Sequence, residues 1–485
     1  MTARPLQIVL GLLFALACGL SLHAGLLRLP FSAWPSPPFD AANLSMDQVI
    51  FAFSLMPRVA VSVLAGAMLG LSGALFQQLL RNPIADPSTL GISAGAQLAI
   101  VIATLFFPSV LDGNRALVAL AGAAAAAGIV FLLGWRRSFE PVTMVVSGLL
   151  VGITAASVSA ALTLAQGEYL MSLVVWNGGS LSQQDWSNAL SLTCQLLAGL
   201  VLTGLLIRPL TILGLGDSGA RSLGVSLFSI RLAVAAVAVM LAAFVASAVG
   251  LVSFIGLAAP ALTRALGGRR SSSVLFASPL LGGLLLWFRD SLVQRLASTT
   301  AEVFPTGAVT ALIGGPLLLW LLPKIRPTDV QRGEGVELAT RRRLTSLLPA
   351  LAIMAVLVFA ALAVGKGPDG WEMLKADDLQ SLLPFRWPRL LAAMAAGGLL
   401  AMAGALLQRL TGNPMASPEV IGVSGGAGLG FAVAITIFPA AGLLELFCGA
   451  GIGSAVVMIL VLFFAVRRHL PPEKILLAGI AVSSL

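Results

Sequence analysis

Residue types that perform covalent or redox chemistry are scarce in this chain, and their spacing excludes most such chemistry. The two histidines, His23 and His469, and the three cysteines, Cys18, Cys194 and Cys448, lie in separate stretches. Neither a zinc site nor a disulfide framework is available from them, so no metal ligand is expected. One short match invites an enzyme reading: "GLGD", ending at Asp217, fits the G-x-G-D signature of intramembrane aspartyl proteases. That chemistry needs two facing carboxylates, one ionised while the other stays protonated. Asp217 has no evident partner, because Asp290 falls at the opposite membrane face beside Arg289. A phosphate loop is also missing: "GKGPDG" from Gly365 has neither the upstream Gly nor a Ser or Thr after Lys366. Acidic residues in mid-span, which an ion-coupled transporter would use, are essentially absent. The expectation is a non-enzyme that binds no cofactor of its own.

What the chain does have is apolar length. Of its 485 residues 58% are hydrophobic and 10% charged, against roughly one-quarter charged in an average soluble domain. Apolar runs of about 20 residues, the length that crosses a hydrocarbon core as a helix, recur along it. Strand-like alternation is absent, so an all-α polytopic membrane protein is expected rather than a barrel. The first 25 residues imitate a signal peptide, but the many spans that follow favour an uncleaved first helix.

Ten spans are expected before the one long charged stretch: approximately 6–26, 59–80, 91–108, 115–134, 142–165, 188–207, 229–249, 251–267, 273–293 and 305–323. With a cytoplasmic N-terminus, the clusters "WRRS", "LGGRRSSS" and "KIRPTDVQRGEGVELATRRR" all face the cytoplasm. That asymmetry follows the positive-inside rule and accounts for the net charge of +9 without nucleic acid.

The chain also repeats itself. Shifted by 331 positions, residues 57–96 align with 388–427 without a gap, and 18 of the 40 pairs are identical. A ten-span unit would thus occupy residues 1–326, a cytoplasmic linker 327–346, and the first four and a half helices of a second unit 347–485. Ten being even, the units enter the membrane in parallel. The copy of the first unit would run on to about position 657, so the chain is expected to stop inside its second repeat.

Small residues Ala65, Gly66, Gly70 and Gly73 recur every three or four positions, a spacing that lets helix backbones approach closely in lipid. The turn after them, "RNPIADP", carries Asn82, Pro83, Asp86 and Pro87, and its echo "GNPMASP" carries Asn413, Pro414 and Pro418. Each combines turn formers with residues that stop a helix.

The segment "PRVAVSVLAGAMLGLSGALFQQLLRNPIADPSTLGISAGA" resembles the hallmark of the permease family that imports iron siderophores, haem and cobalamin with ATP-binding-cassette ATPases. "LGLGDSGARSLGV", "GLVSFIGLAAPALTR" and "FPTGAVTALIGGPLLLWLL" agree with it in order. The resemblance implies two ten-helix units around a central pathway in the bacterial inner membrane. It also implies two copies of a cytoplasmic ATPase, which hold ATP and Mg, and a periplasmic binding protein. Two units in one chain resemble the double-length members that carry iron(III)-hydroxamate siderophores; another iron chelate, haem or cobalamin is the alternative. By the same resemblance, Gly216, Asp217, Ala220, Arg221, Leu223 and Gly224 belong to the loop that docks into the ATPase. Arg58, Arg295, Arg386 and Arg389 would form a basic rim for the binding protein, although Leu55 stands where the second unit has Arg386. Trp176 and Trp186, in "VVWNGGSLSQQDW", would either line the pathway mouth or serve as interfacial anchors.

Overall fold

Inside a bilayer each backbone N–H and C=O needs a partner within its own segment, so apolar runs without strand alternation fold as helices. The computed structural model describes residues 4–37, 39–80, 82, 85–86, 91–111, 114–135, 141–166, 179–214, 216–224, 226–250, 252, 254–268, 270–300, 348–367, 370–411, 417–418, 422–440 and 442–467. Among these, nine helices are long and apolar enough to cross a membrane. The chain forms two compact units: residues 1–328 with 419–485, and residues 329–418.

In the larger unit the helices are α1 (Arg4–Leu26), α2 (Met46–Ile50), α3 (Met56–Leu79), α4 (Ile92–Phe106), α5 (Arg115–Trp135) and α6 (Pro141–Gln166). They continue with α7 (Ser187–Leu213), the six-residue α8 (Asp217–Ser222), α9 (Leu227–Val249), α10 (Ile255–Ala265) and α11 (Ser271–Thr300). Each of the first nine expected spans meets a helix at its place; the tenth, 305–323, and the linker lie outside the described residues. The smaller unit holds α12 (Leu348–Ala363), an antiparallel hairpin of β1 (Val364–Gly367) and β2 (Gly370–Met373), and α13 (Ala376–Thr411). The "GKGPDG" stretch belongs to that hairpin. Helices α14 (Val423–Ile437) and α15 (Leu443–Arg467) form a packed pair in the larger unit.

Two helices outrun their sequence-based limits. The second span does not begin near Pro57: α2 continues through a π turn, Phe51–Leu55, into α3. A π turn relaxes the i→i−4 ladder, which is where the ring of Pro57 and its missing N–H would otherwise break the helix. Helix α11 runs to Thr300, which puts Arg295 on the helix rather than in the loop beyond it.

The expected small-residue stripe is the central contact. Helix α3 packs on α11 with Gly66 and Gly70 facing the backbone of Gly282 and Ser278, and on α10 with Gly73 facing Gly256. A Cβ at any of the three glycines would fall on a carbonyl of the neighbouring helix, so only Gly allows this approach. Between α4 and α5 the same device pairs Gly95 with Gly122; between α14 and α15 it pairs Gly426 with Gly453, each 331 positions on. Helices α4 and α14 begin and end at the same offset, each entered through a left-handed glycine, Gly91 (φ 70°) or Gly422 (φ 87°).

Candidate functional site

At the start of α3, Arg58 donates two hydrogen bonds to Asp290 of α11, Nε to Oδ2 and Nη2 to Oδ1, both at 2.7 Å. Gln294, one turn further along α11, donates to Oδ2 at 2.8 Å. The Asp290 side chain is 1% exposed and that of Arg58 18%. A fork-on-carboxylate pair of this kind fixes orientation as well as charge. Arg58 of the expected basic rim thus has a partner inside its own chain. The bond also gives Asp290 a role other than the second carboxylate of a protease: it is a buried counter-ion. Its neighbour Arg289 is buried too, and all three guanidinium nitrogens lack a hydrogen-bond partner.

The remaining rim arginines have different surroundings. Arg295 and Arg389 are exposed, on α11 and α13. Arg386, on α13, donates through Nη1 to the carbonyls of Leu362 at 2.8 Å and Val364 at 2.7 Å, and to that of Ala361 at 3.2 Å. These carbonyls lie at the C-terminal end of α12, where a helix leaves acceptors unpaired and its dipole favours a cation. Leu55, the residue at the matching place in the first unit, sits in the π turn; there the indole of Trp186 donates to the carbonyl of Ala52 at 3.0 Å. Trp186 thereby anchors the loop before α7 to the π turn, while Trp176 lies outside the described residues.

The stretch from Gly216 to Gly224 contains one short helix, α8. Gly216 (φ 98°) and Gly224 (φ 74°) bracket α8 in left-handed backbone, a conformation in which glycine alone is unstrained. Ala220 is fully buried and Leu223 is 59% exposed, so the short helix is tied down on one side and offers an apolar residue on the other. Asp217 and Arg221 are helical residues of α8.

In the turn after α3, the amide of Asn82 donates to the carbonyl of Gln77, and the amide of Ala85 to that of Asn82; Asp86 is buried. Pro83, Pro87, Asn413 and Pro414 lie outside the described residues, while Pro418 lies within a turn. Sequence reasoning passed over Gln77. It is 2% exposed, donates to the carbonyl of Leu257 at 3.3 Å and accepts from Arg264, joining α3 to α10 just before the turn. A buried amide in a glycine-rich apolar helix was the available signal, since such a group needs partners.

Two kinds of similarity bear on this arrangement. The FecCD transport family matches residues 12–324 and 351–485. This chain belongs to the FecCD transport family. Among its relatives are the iron(3+)-hydroxamate import system permease proteins FhuB of Salmonella typhimurium, 41% identical over 99% of this chain and 70% of that protein, and of Escherichia coli, 40% identical over 98% and 72%. The Fe(3+) dicitrate transport system permease protein FecD of Escherichia coli is 33% identical over 63% of this chain and 94% of its own. A solved metal-chelate type ABC transporter in an inward-facing conformation shares the fold, with a TM-score of 0.55 at 24% identity over 66% of this chain and all of that one. For this FecCD chain the family match ends the contest with the protease reading: it is a transport permease built from helices.

Proposed function

We propose that this FecCD-family chain is the membrane permease of an ATP-driven importer that carries iron(III)-hydroxamate siderophores from periplasm to cytoplasm. The observation that carries the reading is the 40–41% identity, along nearly the whole chain, to two permeases of iron(3+)-hydroxamate import systems. Permeases named for other iron chelates, and the iron(3+)-hydroxamate permease of Bacillus subtilis, match less of the chain at 31–33%. ATP and Mg belong to two copies of a cytoplasmic ATPase, and α8, with Leu223 just past its end, docks into one of them. The N-terminus is cytoplasmic and the membrane is the bacterial inner membrane. In that orientation Arg58, Arg295, Arg386 and Arg389 lie toward the periplasm, where a binding protein delivers the chelate and its carboxylates meet the arginines; opposite charges would steer the encounter.

The test is transport. A strain lacking its own hydroxamate permease, supplied with this chain and its partner subunits, is expected to accumulate radioactive iron from a ferric hydroxamate and to stop when the ATPase is inactivated. Uptake of ferric citrate, haem or cobalamin in preference to the hydroxamate would move the substrate to those classes. Uptake driven by a proton gradient without the ATPase would overturn the reading.

A further inference from the structure

Three charged side chains lie where α3 and α11 adjoin, and the one carboxylate is bonded to only one of the two guanidinium groups. Asp290 accepts two bonds from Arg58 and one from Gln294. Arg289 is 3% exposed, and its Nε, Nη1 and Nη2 are buried without an acceptor. Asp290 is its neighbour along α11, and that carboxylate is already bonded to Arg58. The cluster therefore carries one net positive charge, located on the guanidinium farthest from solvent. A buried cation without a partner is costly and is rarely kept without a use.

We propose that Asp290 is an exchangeable counter-ion: it holds Arg58 inward in the conformation described here, and it passes to Arg289 when a carboxylate of the docking protein captures Arg58. Three features support the exchange. Arg58 is the partly exposed member, so it is the one an outside carboxylate can reach. A carboxylate has about four acceptor positions and Asp290 uses three, so Arg289 can begin to bond before Arg58 has left. Arg289 and Asp290 are neighbours on α11, and because adjacent side chains of a helix point about 100° apart, the exchange requires the long Arg289 side chain to change rotamer while α11 stays in place. The transfer conserves charge: one ion pair opens at the surface as another closes beneath it, and the buried cation gains its missing acceptor. Asp290 and Arg289 are positioning residues in this scheme, since neither touches the chelate.

This inference rests on the docking reading, and the experiment separates the two. The transporter, with its ATPase, is reconstituted in lipid nanodiscs, and the affinity of its purified binding protein is measured for wild type, Asp290→Asn, Arg289→Met, Arg58→Gln and the double combinations. Asp290→Asn frees Arg58 and is expected to tighten binding by about five-fold or more, within the usual span of coupled equilibria. Arg289→Met removes the second donor, the one to which Asp290 would pass, and is expected to weaken binding by a similar factor. Both effects should vanish in the Arg58→Gln background, which a general structural disturbance would not produce. If Asp290→Asn alone is not recovered folded, Asp290→Asn with Arg289→Met keeps the net charge of the cluster and is expected to bind more tightly than wild type. Affinity unchanged or weakened by freeing Arg58, or effects that persist without Arg58, would overturn the exchange alone. A wild-type transporter that binds no such protein would overturn the docking reading and the exchange together.

Discussion

Helices α3 and α13 share one underlying sequence from Pro57 and Pro388 onward, yet 78% of the apolar window is buried in the first and none of it in the second. The difference lies in the surroundings. Helix α3 is covered by α9, α10 and α11, drawn from Leu227–Thr300. Helix α13 packs on α12 of its own unit, and its apolar window is left uncovered. A glycine stripe is thus an offer of close approach, and only a neighbouring backbone turns it into a constraint. At Gly66 and Gly73 an added Cβ would meet a carbonyl, while at the equivalent Gly397 and Gly404 it would meet open space.

The largest effect expected from this contrast is at Gly73. Gly73→Leu should destabilise the protein by more than about 3 kcal/mol, beyond ordinary overpacking because the obstacle is backbone. Gly404→Leu should leave the thermal transition in detergent nearly unmoved. Equal damage at both positions would show that α13 acquires a backbone neighbour of its own. Next in size is Asp290→Ala, which takes the carboxylate from the half-buried Arg58 and the counter-charge from beside the buried Arg289, and should cost about 3–5 kcal/mol. Arg389→Ala, at the place matching Arg58, should change stability by less than about 0.5 kcal/mol, as exposed sites do; denaturation of the two variants side by side checks the contrast. Smaller again is Arg386→Ala, which removes the cation from the carbonyls of α12 and should cost about 1 kcal/mol. Amide exchange should record that loss in residues 348–367 and not in α3. The smallest stability change is expected for Leu223→Ala. Being exposed, it should leave the melting transition in place while lowering the ATPase activity that the partner subunits show in the assembled importer.

The parts legible in the sequence were those governed by local rules. Hydrophobic length placed the spans, and small residues every three or four positions placed the α3 seam. The 331-residue offset anticipated that α4 and α14 would start and stop together. What escaped depended on pairs distant along the chain or on the particular shape of a helix. Nothing near Arg58 announces Asp290, 232 residues away, and the charge of Asp290 at the end of a span was read as interfacial when it is enclosed. The helix runs on ahead of the expected limit at 59 because a π turn before Pro57 accommodates the proline, and a π turn has no sequence signature as plain as proline's own. Arg386 was read only as a rim residue, since its acceptors are main-chain carbonyls and any sequence could supply those. Gln77 shows the converse: one buried amide among glycines was visible, and asking what satisfied it would have led to Arg264 and α10.

The distance along the chain between Arg58 and Asp290 also says something about how this protein is made. When α3 leaves the ribosome, the carboxylate that will hold its arginine has yet to be synthesised, and α4 to α10 must be made before it exists. Until then Arg58 must find other partners, and because a charged side chain is costly inside hydrocarbon, the start of α3 is expected to stay near the membrane surface. The helix that ends most deeply packed is therefore among the last to be secured, and its locking waits on the arrival of α11 rather than on its own insertion.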